Sequence, residues 1–297
     1  MIVGAIDVGS NSVKFLVASV NRGRVTPLAQ RSAITRLSGG LDRTGSISPA
    51  AQDRTIRAIR GFLPLIAGFK PDRTVAVATE ALRVARNGRL FAKRCSRETG
   101  VPVRIISSRE EARISFLGAT AARREPRLAA IDIGGGSTEV IYGKPGKLEI
   151  DVSVPLGAVR LTEKHLHTDP PTLAERLMML KEVHDGLSAL PQGLIRAANR
   201  SGTVLGIGGT CVTLARMVRP NGKPDGRRVS LAELESVLEK IADLPLANRK
   251  RVPGIDPERA DILIGGARIL VEALRVFEVD AFIATPQGLR WGVVLDQ

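Results

Sequence analysis

Ala130-Ile-Asp-Ile-Gly-Gly-Gly-Ser-Thr-Glu-Val140 decides how this chain is read. Leu128 to Ile133 is an apolar run of strand length, three consecutive glycines break it, and a β-rich run resumes from Thr138 to Tyr142. Three glycines together let backbone N–H groups turn toward an anion, at a closeness a Cβ would block. Asp132 precedes this turn and Glu139 follows it. A phosphate nest flanked by two carboxylates suits a Mg²⁺-phosphate ligand, because Mg²⁺ takes one or two carboxylates with phosphate oxygens and water. Alone, the pattern is equally that of a tight turn after a strand.

Working outward, Ala5-Ile-Asp-Val-Gly9 recurs as Ala130-Ile-Asp-Ile-Gly134. Each copy runs through a Ser-bearing turn into a second strand, Val13 to Val20 in the first case and Thr138 to Tyr142 in the second. One recurrence at so large a spacing suggests two related domains facing each other, with two Gly/Ser turns clamping one polyanion. The first turn, Gly9-Ser10-Asn11-Ser12, offers hydroxyls and an amide, and Lys14 stands beside it. Asn and Ser also favour such turns for conformational reasons alone.

The bulk composition narrows the classes. The chain has 297 residues and 43% apolar content, enough for two ordinary domains with their own cores. Strand-like and helix-like stretches alternate, the mark of an α/β protein. No apolar run approaches the roughly 18 residues of a membrane span. Met1 leads almost directly into a strand containing Asp7, so no secretory segment and a cytoplasmic location are expected. Cys95 and Cys211 make neither a disulfide framework nor a metal spacing, and read as buried thiols. A net charge of +14 points to a polyanionic partner. With one Trp, one Tyr and seven Phe, stacking platforms for nucleic acid are scarce, so phosphate chains or a phosphate-rich nucleotide fit better.

Further along, Ser48-Pro49 starts an amphipathic helix with a cap and a first-turn proline. Thr74 to Ala78 is a buried strand running into Thr79-Glu80-Ala-Leu-Arg83, where Arg83 can take a phosphate bidentately or lie on the surface. Ser108-x-x-Glu111 has capping-box spacing, the reading these residues alone favour; the alternative is Glu111 as a general base on water. Arg123 to Arg127 is the expected interdomain crossing, and Pro155 to Thr162 starts a helix carrying Arg160, another phosphate candidate. His165 and His167 read as surface residues. Gly206-Ile-Gly-Gly-Thr210 is a third glycine turn, without the Gly-Lys-Ser/Thr of a Walker loop. The basic stretches 219–228 and 249–251 are either solvated loops or a polyanion track. Ser230-x-x-Glu233 caps a helix, a long amphipathic helix is expected from about Pro257 to Val276, and a last helix closes the chain.

Taken in order, Ile6-Asp-Val-Gly-Ser-Asn-Ser12, Ala78-Thr-Glu-Ala-Leu-Arg83, Glu110-Glu-Ala112, Ile131-Asp-Ile-Gly-Gly-Gly-Ser-Thr-Glu139, Gly208-Gly-Thr210 and Gly288-Leu-Arg290 resemble the exopolyphosphatase and guanosine pentaphosphate phosphohydrolase family. That family sits in the sugar kinase, heat-shock and actin superfamily, and the resemblance covers essentially the whole chain. It implies an α/β protein of two ribonuclease H-like (actin-like ATPase) domains around a central cleft. Residues 1–124 would form the first, with a C-terminal helix of about 286–297 able to pack back onto it, and 125–297 the second. By the same resemblance Glu111 is the catalytic base, reversing the capping preference, and Asp132 and Glu139 bear on Mg²⁺, with Asp7 a third candidate. Asn11, Ser12, Lys14, Arg83, Gly134, Gly135, Gly136, Ser137 and Thr138 would hold phosphate.

The resemblance has departures. Ser108 stands where the family often has Gly, and Trp291 where a Glu often follows Gly-Leu-Arg. The chain stops after the two core domains, whereas longer members add a helical region that helps bind long polymers. The expected activity is Mg²⁺-dependent release of terminal orthophosphate from inorganic polyphosphate, with a homodimer expected from the resemblance alone. Its rivals are hydrolysis of guanosine pentaphosphate, a non-catalytic alarmone- or polyphosphate-binding regulator, and an ATP-dependent kinase or filament protein.

Overall fold

A computed structural model describes residues 1–202, 204–220 and 224–297, and divides them into two compact units. The first comprises Met1–Arg123 with Gln287–Gln297, the second Arg124–Pro286.

The first unit opens with a meander: β1 (Ile2–Val8), β2 (Ser12–Asn21) and β3 (Arg24–Ile34) pair antiparallel. Then come α1 (Leu41–Thr44), α2 (Pro49–Ala67), β4 (Arg73–Ala78), α3 (Glu80–Val84), α4 (Gly88–Thr99), β5 (Val103–Ile105) and α5 (Ser108–Thr120). Among the described residues the sheet order is β3-β2-β1-β4-β5, with β4 parallel to both β1 and β5. Alternation along β1 sorts the two faces. Ile6 and Val8 pack with Phe15, Ile59 and Phe91 beneath α2 and α4, while Val3 and Ala5 pack with Ile114 of α5 and with Leu289, Trp291 and Val294. Those last three belong to the closing helix Leu289–Leu295. Glycine makes that docking close: a Cβ on Gly292 would sit 1.8 Å from the Ile114 carbonyl oxygen, and one on Gly118 would sit 2.3 Å from that of Gly288. Arg113 then pairs bidentately with Asp296 at 2.8 and 2.6 Å.

The second unit repeats the plan. β6 (Leu128–Ile133), β7 (Thr138–Lys144) and β8 (Lys147–Val154) form an antiparallel meander, followed by α6 (Ala158–His165), α7 (Leu173–Ser188) and α8 (Gln192–Ser201). β9 (Val204–Ile207), α9 (Gly208–Val218), β10 (Arg228–Ser230), α10 (Leu231–Ala242), α11 (Leu246–Arg249), α12 (Leu263–Val276) and β11 (Ala281–Thr285) complete it. The sheet order is β10-β11-β9-β6-β7-β8, with β9 parallel to β6 and to β11. Both units therefore carry a mixed ribonuclease H-like sheet built on a three-stranded meander. The recurring Ala-Ile-Asp falls at the same place in each, the end of the first strand.

Several expectations change. The long helix from Pro257 is interrupted: Pro257–Arg259 is a 3₁₀ turn, and α12 begins at Leu263, amphipathic but with most of its residues buried. The helix expected at Pro155 starts at Ala158, after the extended Gly157. His165 is buried, its Nε2 lying 2.6 Å from Glu182, because α6 packs that face against α7. Lys164 and His165 hold the Glu182 carboxyl below the usual range although burial opposes them. Arg249 is 3% exposed and donates to the carbonyls of Ile241, Ala260 and Leu244, which removes it from any polyanion track. Asn221, Gly222 and Lys223, within the other basic stretch, lie outside the described residues. No described helix is long and apolar enough to cross a membrane.

Candidate active site

In the first unit the Gly9–Ser12 turn leaves β1 and enters β2, closed by a bond from Gly9 N–H to Ser12 O at 3.1 Å. The Asn11 carbonyl accepts from Thr35 and Arg36, and the Ser10 carbonyl accepts from Ser38, so the segment after β3 laces the turn down. Asp7 stands directly opposite Lys14 across the β1–β2 ladder. An ammonium, not a second carboxylate, shares its position.

At the ends of the parallel strands β4 and β5, α3 and α5 begin. Arg83 Nη1 donates to the Ile106 carbonyl at 3.0 Å and to Glu111 Oε2 at 2.9 Å, with both side chains largely buried. The capping box read at Ser108 and Glu111 is not formed. Ser107 is the cap: its backbone is extended and its side chain accepts from Glu110 N–H at 3.2 Å. The helix starts one residue earlier than the Ser108 reading requires, so Glu111 lies past the cap and its carboxylate meets Arg83 instead. As a first-turn carboxylate it also benefits from the helix dipole.

The second unit holds the triple-glycine turn. Gly134 N–H bonds Ser137 O at 2.9 Å, matching the closure of the first turn. The N-terminal N–H groups of α6 tie its carbonyls: Ala158 to Gly134 at 3.0 Å, and Val159 and Arg160 to Gly135 at 2.9 and 3.1 Å. Arg160 Nη1 adds a bond of 2.7 Å to Gly136 O, so this arginine braces the turn. Thr138 Oγ1 is committed to the Leu156 carbonyl at 2.5 Å, which ties the start of β7 to the segment leading into α6.

Asp132 and Glu139 are direct partners across β6–β7, so their side chains share a face. Glu139 is 2% exposed, and its Oε1 accepts from Ser137 Oγ at 2.8 Å and Ser153 Oγ at 2.9 Å. Ser153, the partner of Glu139 in β8, was not legible in the sequence, because only strand register brings it there. Among the described residues no group of three or more His, Cys, Asp or Glu forms a metal cluster. Two opposed carboxylates beside a glycine-rich turn still fit Mg²⁺, which draws its remaining ligands from phosphate and water.

The third glycine turn lies beside Asp132. A Cβ on Gly208, whose φ is +89°, would lie 3.2 Å from Asp132 Oδ1, and one on Gly209 would overlap the Arg259 guanidinium. Thiol chemistry is disfavoured: burial pushes Cys95 up to about 11, and burial, with Asp132 adding to it, pushes Cys211 higher still.

The chain has known relatives. A model of the Ppx/GppA phosphatase family matches residues 16–297. Exopolyphosphatase 1 of Mycobacterium tuberculosis is 32% identical over 99% of this chain and 88% of its own length. A crystal structure of the Aquifex aeolicus Ppx/GppA family member, 32% identical, superposes with a TM-score of 0.82 over 100% of this chain and 97% of that one. An exopolyphosphatase structure from Cytophaga hutchinsonii, 25% identical, reaches 0.89 over 100% and 98%. With the family model matching nearly the whole chain and a relative above 30% identity aligned along its length, this protein belongs to the Ppx/GppA phosphatase family.

Proposed function

We propose that this protein is an exopolyphosphatase, releasing terminal orthophosphate from inorganic polyphosphate by attack of a water that Glu111 activates. The observation that carries the reading is the Arg83–Glu111 pair: the carboxylate is released from helix capping and held at the ends of parallel strands, a usual place for chemistry in α/β sheets. Glu111 would accept the water's proton as the oxygen closes on the terminal phosphorus. Only Arg83 Nη1 is spent on Glu111 and Ile106 in these bonds, so the other edge of its fork retains N–H donors for a phosphate oxygen. In the second unit, the Gly134–Ser137 turn, fixed by α6, would present backbone N–H groups to phosphate. Asp132 and Glu139 would hold Mg²⁺, which when bound supplies positive charge to the non-bridging oxygens. Phosphoryl transfer relies mainly on positioning and electrostatics, so no Ser or Cys nucleophile is required.

The mycobacterial relatives named exopolyphosphatase support the polymer as substrate. The net charge of +14 agrees, since a longer anion releases more counterions on a basic surface. The test is phosphate release from polyphosphate with Mg²⁺ by wild type and Glu111→Gln. The variant keeps the shape and loses the base, and its kcat should fall about 10²- to 10⁴-fold while polyphosphate binding persists. Wild-type turnover in Glu111→Gln would refute the assignment.

A further inference from the structure

One buried acid near the first turn has no part in the scheme above. Glu80, the first residue of α3, is 6% exposed, and its Oε2 accepts a hydrogen bond from Ser10 Oγ at 3.1 Å. Seventy positions separate the two residues in sequence. A serine hydroxyl has one proton to donate, so Ser10 gives that proton to Glu80 and cannot also give it to a phosphate oxygen. The next residue is in the opposite condition. Asn11 is 8% exposed, its backbone carbonyl is held by Thr35 and Arg36, and its side-chain Nδ2 is buried with no hydrogen-bond partner among the described residues. A buried donor left unpaired is costly, and its persistence calls for an acceptor that the described residues do not provide.

We propose that Glu80 is a positioning residue for the phosphate-binding turn: it engages the Ser10 hydroxyl and fixes the turn so that the Asn11 amide is the donor presented to a phosphate oxygen. The carboxylate is suited to this task because it only accepts, which forces the direction of the Ser10 bond. An anionic acceptor also makes that bond stronger than a neutral one. The inference rests on the phosphate reading of the turn given above.

The test is calorimetric binding of inorganic tripolyphosphate without added Mg²⁺, with phosphate release from polyphosphate in Mg²⁺ followed in parallel and thermal melts as a check on folding. Ser10→Ala and Glu80→Ala should each weaken binding about tenfold, and the double variant should be no weaker than the worse single, because both act through one bond. Glu80→Gln, which retains an acceptor for Ser10 Oγ, should restore most of the affinity. Asn11→Asp, which replaces the donor with an anion, should bind more weakly than any of these. Additive losses in the double variant, Glu80→Gln as impaired as Glu80→Ala, or Asn11→Asp binding like wild type would each overturn the proposal. The binding pattern without phosphate release would count against hydrolysis and leave the proposal standing. Unchanged binding in the Ser10 and Glu80 variants with turnover intact would sink the proposal alone, and absence of wild-type binding would overturn both.

Discussion

Replacing Gly157 by alanine isolates the fit between the triple-glycine turn and α6. Gly157 caps α6 with φ −133° and ψ 151°, extended backbone that alanine adopts readily, so any effect is steric. The added Cβ would lie 2.3 Å from Gly135 O and 2.4 Å from the carbonyl carbons of Gly135 and Gly136. Restoring van der Waals contact requires the turn to retreat by about 1 Å, and no flexible side chain can yield in its place. That retreat strains the bonds from Ala158, Val159 and Arg160 that hold the turn. Overpacking of this kind costs about 1–3 kcal/mol, and one stretched hydrogen bond adds about 1 kcal/mol. At about 2–4 °C of Tm per kcal/mol the melting point should fall measurably, and a 1 Å misplacement of phosphate-binding groups should lower kcat/KM on the order of 100-fold. Gly193→Ala is the control, because no described residue lies within 4 Å of the new methyl and the change should be neutral or stabilising. Calorimetry and phosphate-release kinetics read both variants. Wild-type Tm and turnover in Gly157→Ala would refute the packing argument, while a lowered Tm with unchanged turnover would remove the triple-glycine turn from the reaction.

Three further outcomes rest on other contacts. Arg83→Met should lower stability by about 1–3 kcal/mol, less than for a fully buried pair, since it strands Glu111, and should reduce turnover; a melt like that of wild type would contradict the pairing. Arg113 holds the Asp296 carboxyl below its usual range, so the pair's contribution is fully present above the unfolded-state pKa and is lost as pH falls through the lower folded-state value. The Tm gap between wild type and Asp296→Asn should therefore be flat above about pH 4 and close only on further acidification; a gap that closes toward neutral pH would contradict the ion pair. Finally, Ser107→Ala should cost about 1 kcal/mol as a lost helix cap while Ser108→Ala costs a few tenths, and urea unfolding midpoints in the reverse order would move the cap back to Ser108.

Beyond the fold class and the family, which the ordered motifs along the whole chain made legible, what the sequence disclosed of the contacts was local. The triple glycine, the Ser48 cap with Pro49 and the Ser230–Glu233 capping box all fall where their spacing predicts, because each depends on residues within one turn. The error at α5 has a definite source. Ser107 and Ser108 stand in tandem, as do Glu110 and Glu111, so the spacing is satisfied twice and only backbone conformation selects Ser107. Contacts set by topology were beyond reach: Ser10 with Glu80, Ser153 with Glu139, and the Gly209 backbone against Arg259. Residue type misleads at His165 and Arg249. Each is polar, yet each found acceptors inside, Glu182 for the first and three backbone carbonyls for the second. Residues 173–201 fold as α7 and α8, and α7 opens with a capping box whose Thr172–Glu175 spacing is legible in the sequence.

The measurement that bears most directly on the proposed activity is initial phosphate release, with Mg²⁺, from long polyphosphate and from guanosine pentaphosphate by the same wild-type preparation. The account predicts a higher kcat/KM on polyphosphate. A higher kcat/KM on the nucleotide, or no phosphate released from the polymer, would contradict it.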